Sequence, residues 1–565
     1  MSRLEEKEQP EGVGATGPCE QGAPDMPVSV ISKKEGSSPE SCSVRMFGGK
    51  LCGRPTWGPM INDTRYCLMH IPSGKGDAAF QSEIERILKT AGHGLADFTR
   101  FVFPSANYKH KLFEAECIFA GAEFHKRTEF TGATFAHGAD FHGVSFMGTA
   151  DFAGVTFNRG GTFVSARFQQ FASFSGANFV IGADFTWARF RETALFHKSK
   201  FSDQAVFHEV TFTRTSDFSE AIFEGDANFY GTTFEQAANF KSAKLAGQAN
   251  FSRTKFLSVA EFLETSFRKD DQRAPGPIFT LASFSRPEAV IFYKTYLGQA
   301  LFHNCNISKL SFISIEWRER KRSRKRMIFE EEIDLKDVAA DALRLRPNSP
   351  NERDYELIEG VYQQLKKNYD EAKDYWTAGD FHYGELEMKR LACKRKSKVV
   401  RWLVQHLRLV ALYKYASQYG ESYTRPLPWL FFVLLLFMGL YPLAGLDLSK
   451  GPSQPTPAAV AIHGSAPQMT VAAATQQNSA PEARSELSYG HFSEFVKNYP
   501  GRKWVGRCAF FGHSLMTALS VAGFQKELKY EPSYPWGRVL ALLELLLTST
   551  LIALFLLAVR RQFRR

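Results

Sequence analysis

Residues 139–157 read ADFHGVSFMGTADFAGVTF, and their phenylalanines, Phe141, Phe146, Phe152 and Phe157, are separated by five, six and five residues. The beat runs on in both directions, from Phe119, Phe124, Phe130 and Phe135 on one side to Phe256, Phe262 and Phe267 on the other. Leu245 stands once in a phenylalanine position. The unit is eleven residues, roughly A-(D/N)-F-x-G-x-x-F-x-x-x. Such a repeat has to be read before any single element, because one short unit cannot bury its own apolar side chains and needs its neighbours.

A helix does not satisfy the beat. At about 100° per residue a five-residue step carries the second phenylalanine about 140° around the axis, so no apolar stripe forms. A continuous strand fails too, because an odd step followed by an even one sends successive rings to opposite faces. What remains is a chain that turns a corner every five or six residues. Each short side then sends one aromatic ring inward, beside a small residue such as Ala139 or Ala150.

The units at Ala139 to Gly143 (ADFHG), Ala177 to Ile181 (ANFVI) and Ala227 to Gly231 (ANFYG) resemble pentapeptide repeats. That resemblance implies a mainly β fold, a right-handed quadrilateral β-helix over residues 95–317 with a central Phe or Leu stacked along its axis. The alternating sixth residue implies a bulge at every second corner and about 22 residues per coil. At about 4.8 Å between coils, residues 119 to 267 make about seven coils, a rod of roughly 33 Å. Regular fives return at Phe292, Leu297, Phe302, Ile307, Phe312 and Trp317, after an irregular insertion near 270 to 280. The open end of a solenoid needs a cover. Residues 77–94 supply one: Phe80, Ile84, Ile87, Leu88 and Ala91 fall on one helical face, with Asp77 placed to cap the start and Gly92 to stop the end.

The whole chain has 565 residues, a net charge of +11 and eight cysteines. No secretory leader is visible and the cysteines do not form a disulfide pattern, so most of the chain is expected in a reducing compartment. The positive excess is not on the rod, where residues 91 to 317 carry 22 acidic and 22 basic side chains. An acidic DNA-mimicking, gyrase-binding role, known among pentapeptide-repeat proteins, is disfavoured by that balance, and nucleic acid is not the expected partner. The basic residues cluster at 318–326 (RERKRSRKR), at 389–401 and in the last six residues, 560–565.

Residues 426–446 form an uncharged apolar run, and 539–559 match it in length with one acid, Glu544. Each is long enough to cross about 30 Å of hydrocarbon. Trp429, Tyr441 and Trp536 stand near their ends, and basic residues precede the first run and follow the second. This pattern predicts two spans with both termini cytoplasmic. Between them, 447–500 holds a polar, Ala- and Pro-rich external linker. Residues 501–538 hold an apolar segment that reads as dipping into the bilayer and returning. Thr517, Ser520, Val521, Ala522, Gly523 and Phe524 resemble the pore helix and filter of two-transmembrane potassium channels. Ala522 is an extra residue before the glycine, and Gln525 stands where a second glycine belongs, so the potassium filter is not reproduced. Glu544 and Thr548 share a helix face, turned either to a water-filled path or to a neighbouring helix.

The connector, 318–425, is read as helical from 352. Tyr355, Ile358, Tyr362, Leu365 and Tyr369 make one stripe, Gly379 is expected to break the helix, and Glu385 and Glu387 read as a solvated face rather than catalytic groups. A helical pair followed by YGESYTRPL (419–427) resembles bacterial membrane-bound pentapeptide-repeat proteins, which implies an inner-membrane location. The connector's basic helices are expected against anionic headgroups.

Near the other end, Cys42, Cys52, Cys67 and His70 form C-x9-C-x14-C-x2-H within residues 41–76. Zinc takes four such ligands tetrahedrally, so a structural zinc is the expected cofactor, with Cys19 an alternative to Cys42 and free thiols the competing reading. Residues 1–40 read as a disordered tail. Gly12, Gly14 and Gly17 match G-x-G-x-x-G, but Pro18 follows and no strand precedes, so no dinucleotide site is expected. No catalytic motif emerges, and the chain is not expected to be an enzyme. The functional expectation is an oligomeric ion-channel-like pore, a tetramer by the channel resemblance, coupled to a rod that binds an unidentified protein partner. The alternatives are a non-conducting membrane scaffold and a nucleic-acid or gyrase-binding protein.

Overall fold

The computed structural model describes residues 41–73, 76–269, 275–321, 323–332, 354–392, 402, 405–444, 446–448, 503–523, 530–532 and 535–564. The tail at 1–40 and most of the linker at 447–500 lie outside them. From Leu95 to Ile313 the chain coils through four parallel sheets of nine, nine, ten and eight strands, each regular coil donating one strand to each sheet. The coils begin well before Phe119, as the boundary at 95 requires. Within the regular part the partner of residue i is residue i+22, as in Ser145↔Arg167 and Ala150↔Ala172. At the insertion the offset widens to Ala249↔Pro277, and it then tightens to Ile291↔Ser311, where the regular fives return.

The eleven-residue unit follows from two kinds of corner. In the five-residue step, Val144 N donates to Phe141 O at 3.2 Å, closing a tight turn whose third residue, Gly143, has φ +64°. Glycine takes that conformation without a Cβ penalty. The same left-handed corner recurs at Gly154, Ser165, Trp187, Lys198, Glu209 and Glu220. The six-residue step is an open bend, and it holds the extra residue. The Asp or Asn before the phenylalanine prepares the tight corner: Asp140 Oδ1 accepts His142 N at 2.8 Å and Asp184 Oδ1 accepts Thr186 N at 2.8 Å.

Inside, the rings form columns. Phe141 stacks on Phe163 at 4.8 Å and Phe152 on Phe174 at 5.0 Å, the planes of each pair nearly parallel, while rings from neighbouring columns meet edge to face, as Phe152 meets Phe163 at 5.4 Å and 87°. Both arrangements suit the aromatic quadrupole. Ala139 and Ala150 are buried between them.

Helix α1 (Asp77–Ala91) covers the first coil with Phe80, Ile84 and Ile87, and Phe80 meets Phe103 edge to face at 5.2 Å. Gly92 stops it in a left-handed conformation, its N–H on Leu88 O at 3.0 Å. Asp77 is not the N-cap: it occupies the first helical position, where the helix's positive end still favours an acid, and its carboxylate accepts Ser105 Oγ at 3.2 Å.

The other end is covered by α2 (Tyr355–Glu371) and α3 (Tyr375–Leu391). The break between them lies at Ala372–Asp374, where Asp374 caps α3 by accepting Thr377 N at 3.1 Å; Gly379 is buried inside α3 and breaks nothing. This pair is the rod's second cap as well as its connector. Asn368 accepts Lys309 N at 2.8 Å and donates to Ile307 O at 2.7 Å, Gln364 accepts Ile307 N at 2.7 Å, and Tyr369 receives Trp317 Nε1 at 2.8 Å. Side-chain amides thereby replace the next coil's backbone.

Much of the run at 318–326 is folded into this cap rather than lying free. A hairpin pairs Arg318–Glu319 with Arg326–Met327, Arg320 bonds Glu331, and Lys325 and Arg326 meet Asp380 at 2.9 and 3.2 Å. Glu385 and Glu387 are not a solvated face either, because the helix pair and the next segment close over them. His382 and Lys366 hold Glu385 down to about 2 against burial. Burial works against ionised Glu387 as well, yet Arg390 and Lys414 hold it down to about 2.

Helix α4 (Leu409–Ser417) leads into three further helices, α5 (Pro426–Ala444), α6 (Lys503–Ala522) and α7 (Pro535–Arg564). All three pack on one another. Strands Leu446–Leu448 and Tyr530–Pro532 pair antiparallel beside them. The first apolar run therefore ends two residues earlier than its composition indicates, and its last residue belongs to a strand.

Candidate metal cluster and apolar helix bundle

The amino-terminal segment folds so that four distant ligands meet. Cys42 N donates to Arg54 O and Cys52 N to Val44 O, both at 2.8 Å, forming a hairpin that sets Cys42 and Cys52 side by side. A second turn, with His70 N on Cys67 O at 3.1 Å, brings in the remaining pair. The Sγ atoms of Cys42, Cys52 and Cys67 and the ring nitrogen of His70 all lie within 4.8 Å of one another. Cys52 Sγ is 3.8 Å from Cys67 Sγ, and His70 Nδ1 is 3.4 Å from Cys42 Sγ and 3.1 Å from Cys67 Sγ. A tetrahedral zinc with bonds of about 2.3 Å to sulfur and about 2.0 Å to nitrogen has ligand-to-ligand edges of roughly 3.5–3.8 Å. The cluster fits a metal of that size.

Its surroundings agree with that fit. His70 Nε2 lies 3.1 Å from Thr99 O, leaving Nδ1 as the ligand atom and tying the cluster to the first coil. Arg54 Nη1 donates to Cys52 Sγ at 3.4 Å, and Arg54 Nε lies 3.4 Å from Glu83 Oε1 on α1. Cys19 lies outside the described residues.

At the carboxyl end, Pro535–Phe563 is long and apolar enough to cross a membrane, and only 17% of its most apolar stretch is buried. Leu542 and Leu546 on α7, and Phe431 and Phe432 on α5, point outward. The interior of the bundle is mixed. Val433, Phe437, Tyr441 and Ala518 pack together, and Tyr441 Oη donates to the buried carboxylate of Glu544 at 2.6 Å. Thr548 Oγ1 bonds Glu544 O on its own helix at 2.7 Å, and Thr517 Oγ1 bonds His513 O at 3.0 Å.

Thr517, Ser520, Val521 and Ala522 are all helical, and Gly523 N closes the last turn on Leu519 O at 2.9 Å. The described residues of the filter-like stretch therefore do not present an extended ladder of carbonyls. Phe524 lies outside the described residues. Helix α6 spans 20 residues, so it begins before the apolar stretch that opens at Cys508.

Residues 185–233 and 196–244 match the family model described as pentapeptide repeats (9 copies). No curated protein and no solved structure matches the chain. The matched residues lie in the middle of the coiled region, and the i to i+22 pairing runs unbroken on both sides of them. The chain thus carries a pentapeptide-repeat β-solenoid followed by helices, the last of them apolar.

Proposed function

We propose that this is an integral membrane protein that presents a pentapeptide-repeat rod for contact with a protein partner. The observation that carries the reading is the polarity of the helix bundle: α5 and α7 turn Phe431, Phe432, Leu542 and Leu546 outward and bury Tyr441 against Glu544. That is the arrangement expected in hydrocarbon. Arg561 Nη1 donates to Tyr419 O at 3.0 Å, which supports a two-span topology with the basic ends of α5 and α7, and the rod, on the same cytoplasmic side. The amino-terminal cluster, in this reading, holds a structural zinc ion.

A second reading, an oligomeric pore governed by the rod, is favoured by α6, which packs against both apolar helices and ends at Gly523. Several copies, four by the resemblance to channels, would be needed to enclose a path. The deciding experiment is flux of K⁺, Na⁺ and Cl⁻ into liposomes holding the full-length protein, beside Gly523→Phe. Flux lost in the variant supports the pore. Absence of flux with both proteins, at verified insertion, leaves the scaffold. Release from membranes by carbonate extraction would overturn both.

A further inference from the structure

We propose that α4 and the residues just before it lie flat on an anionic phospholipid surface and so fix the carboxyl-terminal cap, with the rod behind it, against the bilayer. The inference rests on the membrane reading above and deepens it by naming the contact and its chemistry.

Helix α4 is inverted relative to a helix on a water-facing surface. Leu409 is 83% exposed and Leu412 51%, and Tyr415 follows on the same side at a further step of three. Its one lysine turns the other way, into the protein, where Lys414 Nζ meets Glu387 Oε1 at 2.8 Å; Ala411 and Ser417 are buried. In water an amphipathic helix turns its apolar stripe to the core and its charge to solvent. The reversal is stable if the outward face meets an apolar boundary.

The position of α4 says which boundary. Trp429 Nε1, in the first turn of α5, donates to Tyr415 O at 3.2 Å, so the outward face of α4 continues into the outward face of the apolar helix. Arg561, in the last turn of α7, reaches Tyr419 O, so the same level holds the basic end of the second apolar helix. Arg408, Arg425 and Arg560 are exposed around this level. Apolar side chains at the acyl boundary ringed by exposed guanidinium groups match an interfacial helix on anionic headgroups. A second copy of the chain would offer this surface the same exposed arginines, which repel, so lipid is the favoured occupant.

The geometry also explains how the contact would reach the rod. Glu387, which takes Lys414 from α4, also takes Tyr419 Oη at 2.9 Å and Arg390 at 2.5 Å, and Glu421 lies between Arg561 at 3.5 Å and Lys325 of the cap hairpin at 3.9 Å. Gln418, Tyr419 and Gly420 are consecutive left-handed residues, with φ of 50°, 62° and 77°. Such a run holds only where its surroundings over-determine it.

The test places a photo-crosslinking residue, p-benzoylphenylalanine, singly at Leu412, at Leu543 on the outward side of α7 and at Trp187 on the rod. Each full-length variant is reconstituted in phosphatidylcholine nanodiscs with or without phosphatidylglycerol, and adducts are read by mass spectrometry. The expected result is lipid adducts at 412 and 543, none at 187, and phosphatidylglycerol captured at 412 several-fold above its share of the bilayer. Arg408→Gln combined with Arg560→Gln should return that ratio to the bilayer's own. Lipid at 543 but not at 412, or a second chain captured at 412, overturns the inference while leaving the membrane reading intact. Lipid at 412 with no preference for phosphatidylglycerol overturns the anionic assignment. No lipid at 543 defeats the membrane reading itself.

Discussion

Phe196→Ala should open a hole that the rod cannot close. Phe196 is fully buried, stacked on Phe174 at 5.1 Å and on Phe218 at 4.8 Å, with Phe185 and Phe207 edge-on at 5.4 Å each. Truncating a buried phenylalanine costs about 3–5 kcal/mol, the upper end applying where the surroundings do not relax. Here the coils above and below are fixed in their spacing by backbone hydrogen bonds, Phe174 N to Leu195 O at 2.6 Å and Phe196 N to Asp217 O at 2.7 Å. A loss of about 4 kcal/mol follows, equivalent to about a thousandfold in an opening equilibrium. Because a solenoid's stability is a sum over neighbouring coils, the loss should be local. Hydrogen exchange on the full-length protein is the assay: amides from Phe174 to Phe218 should lose about three decades of protection, while those near Ala96 and near Ile313 keep theirs. A loss under tenfold would mean that the coils collapse onto the hole. A loss spread evenly along the rod would refute the nearest-neighbour account.

Other outcomes follow from the caps and the cluster. The protein as purified should carry one zinc per chain, and Cys67→Ser or His70→Ala should abolish it while lowering exchange protection around Thr99, which His70 contacts; unchanged protection would make the cluster dispensable to the first coil. Asn368→Ala leaves Lys309 N and Ile307 O without their cap, and should cost about 2–4 kcal/mol locally, seen as faster exchange in the last coil but not in the middle of the rod. Glu330 gives a pH signature. Burial pushes its carboxyl up to about 7, although Phe302 N donates to it at 2.6 Å. Between the ordinary carboxylate value and about 7 the folded state binds the extra proton, so the stability of this end is full at low pH and falls as pH rises through that window, by about 3 kcal/mol in all. Glu330→Gln should flatten the fall; a variant with the same slope would place the titration elsewhere.

How much of this could be read from residues alone differs from region to region. The phenylalanine beat is a covalent fact that leaves one solution, because neither a helix nor a strand brings those rings to one side, and the observed i to i+22 pairing is that solution. The second cap was harder. Asn368 and Gln364 look like ordinary surface residues of an amphipathic helix until the coil end is placed beneath them, and Gly379 looks like a breaker until Tyr362 and Phe381 are seen to pack around that helix. The grouping of thiols and imidazole is legible in outline from the close pair Cys67 and His70, whereas the closure on Cys42 depends on a hairpin that carries no strong local pattern. The acids are the least legible. Glu385 and Glu387 beside Lys389 and Arg390 have the composition of a solvated face, and only the arrival of Lys366 and Lys414 from other elements makes them interior.

The repeat, the rings that fill it and the apolar runs are written along the chain, since periodicity and hydropathy are properties of neighbours in it. Which polar groups end the rod, which thiols meet one imidazole and which side of α4 faces outward emerge only once the chain is folded. Those depend on contacts between residues tens or hundreds of positions apart, such as Arg561 with Tyr419, and no local pattern encodes a partner that distant.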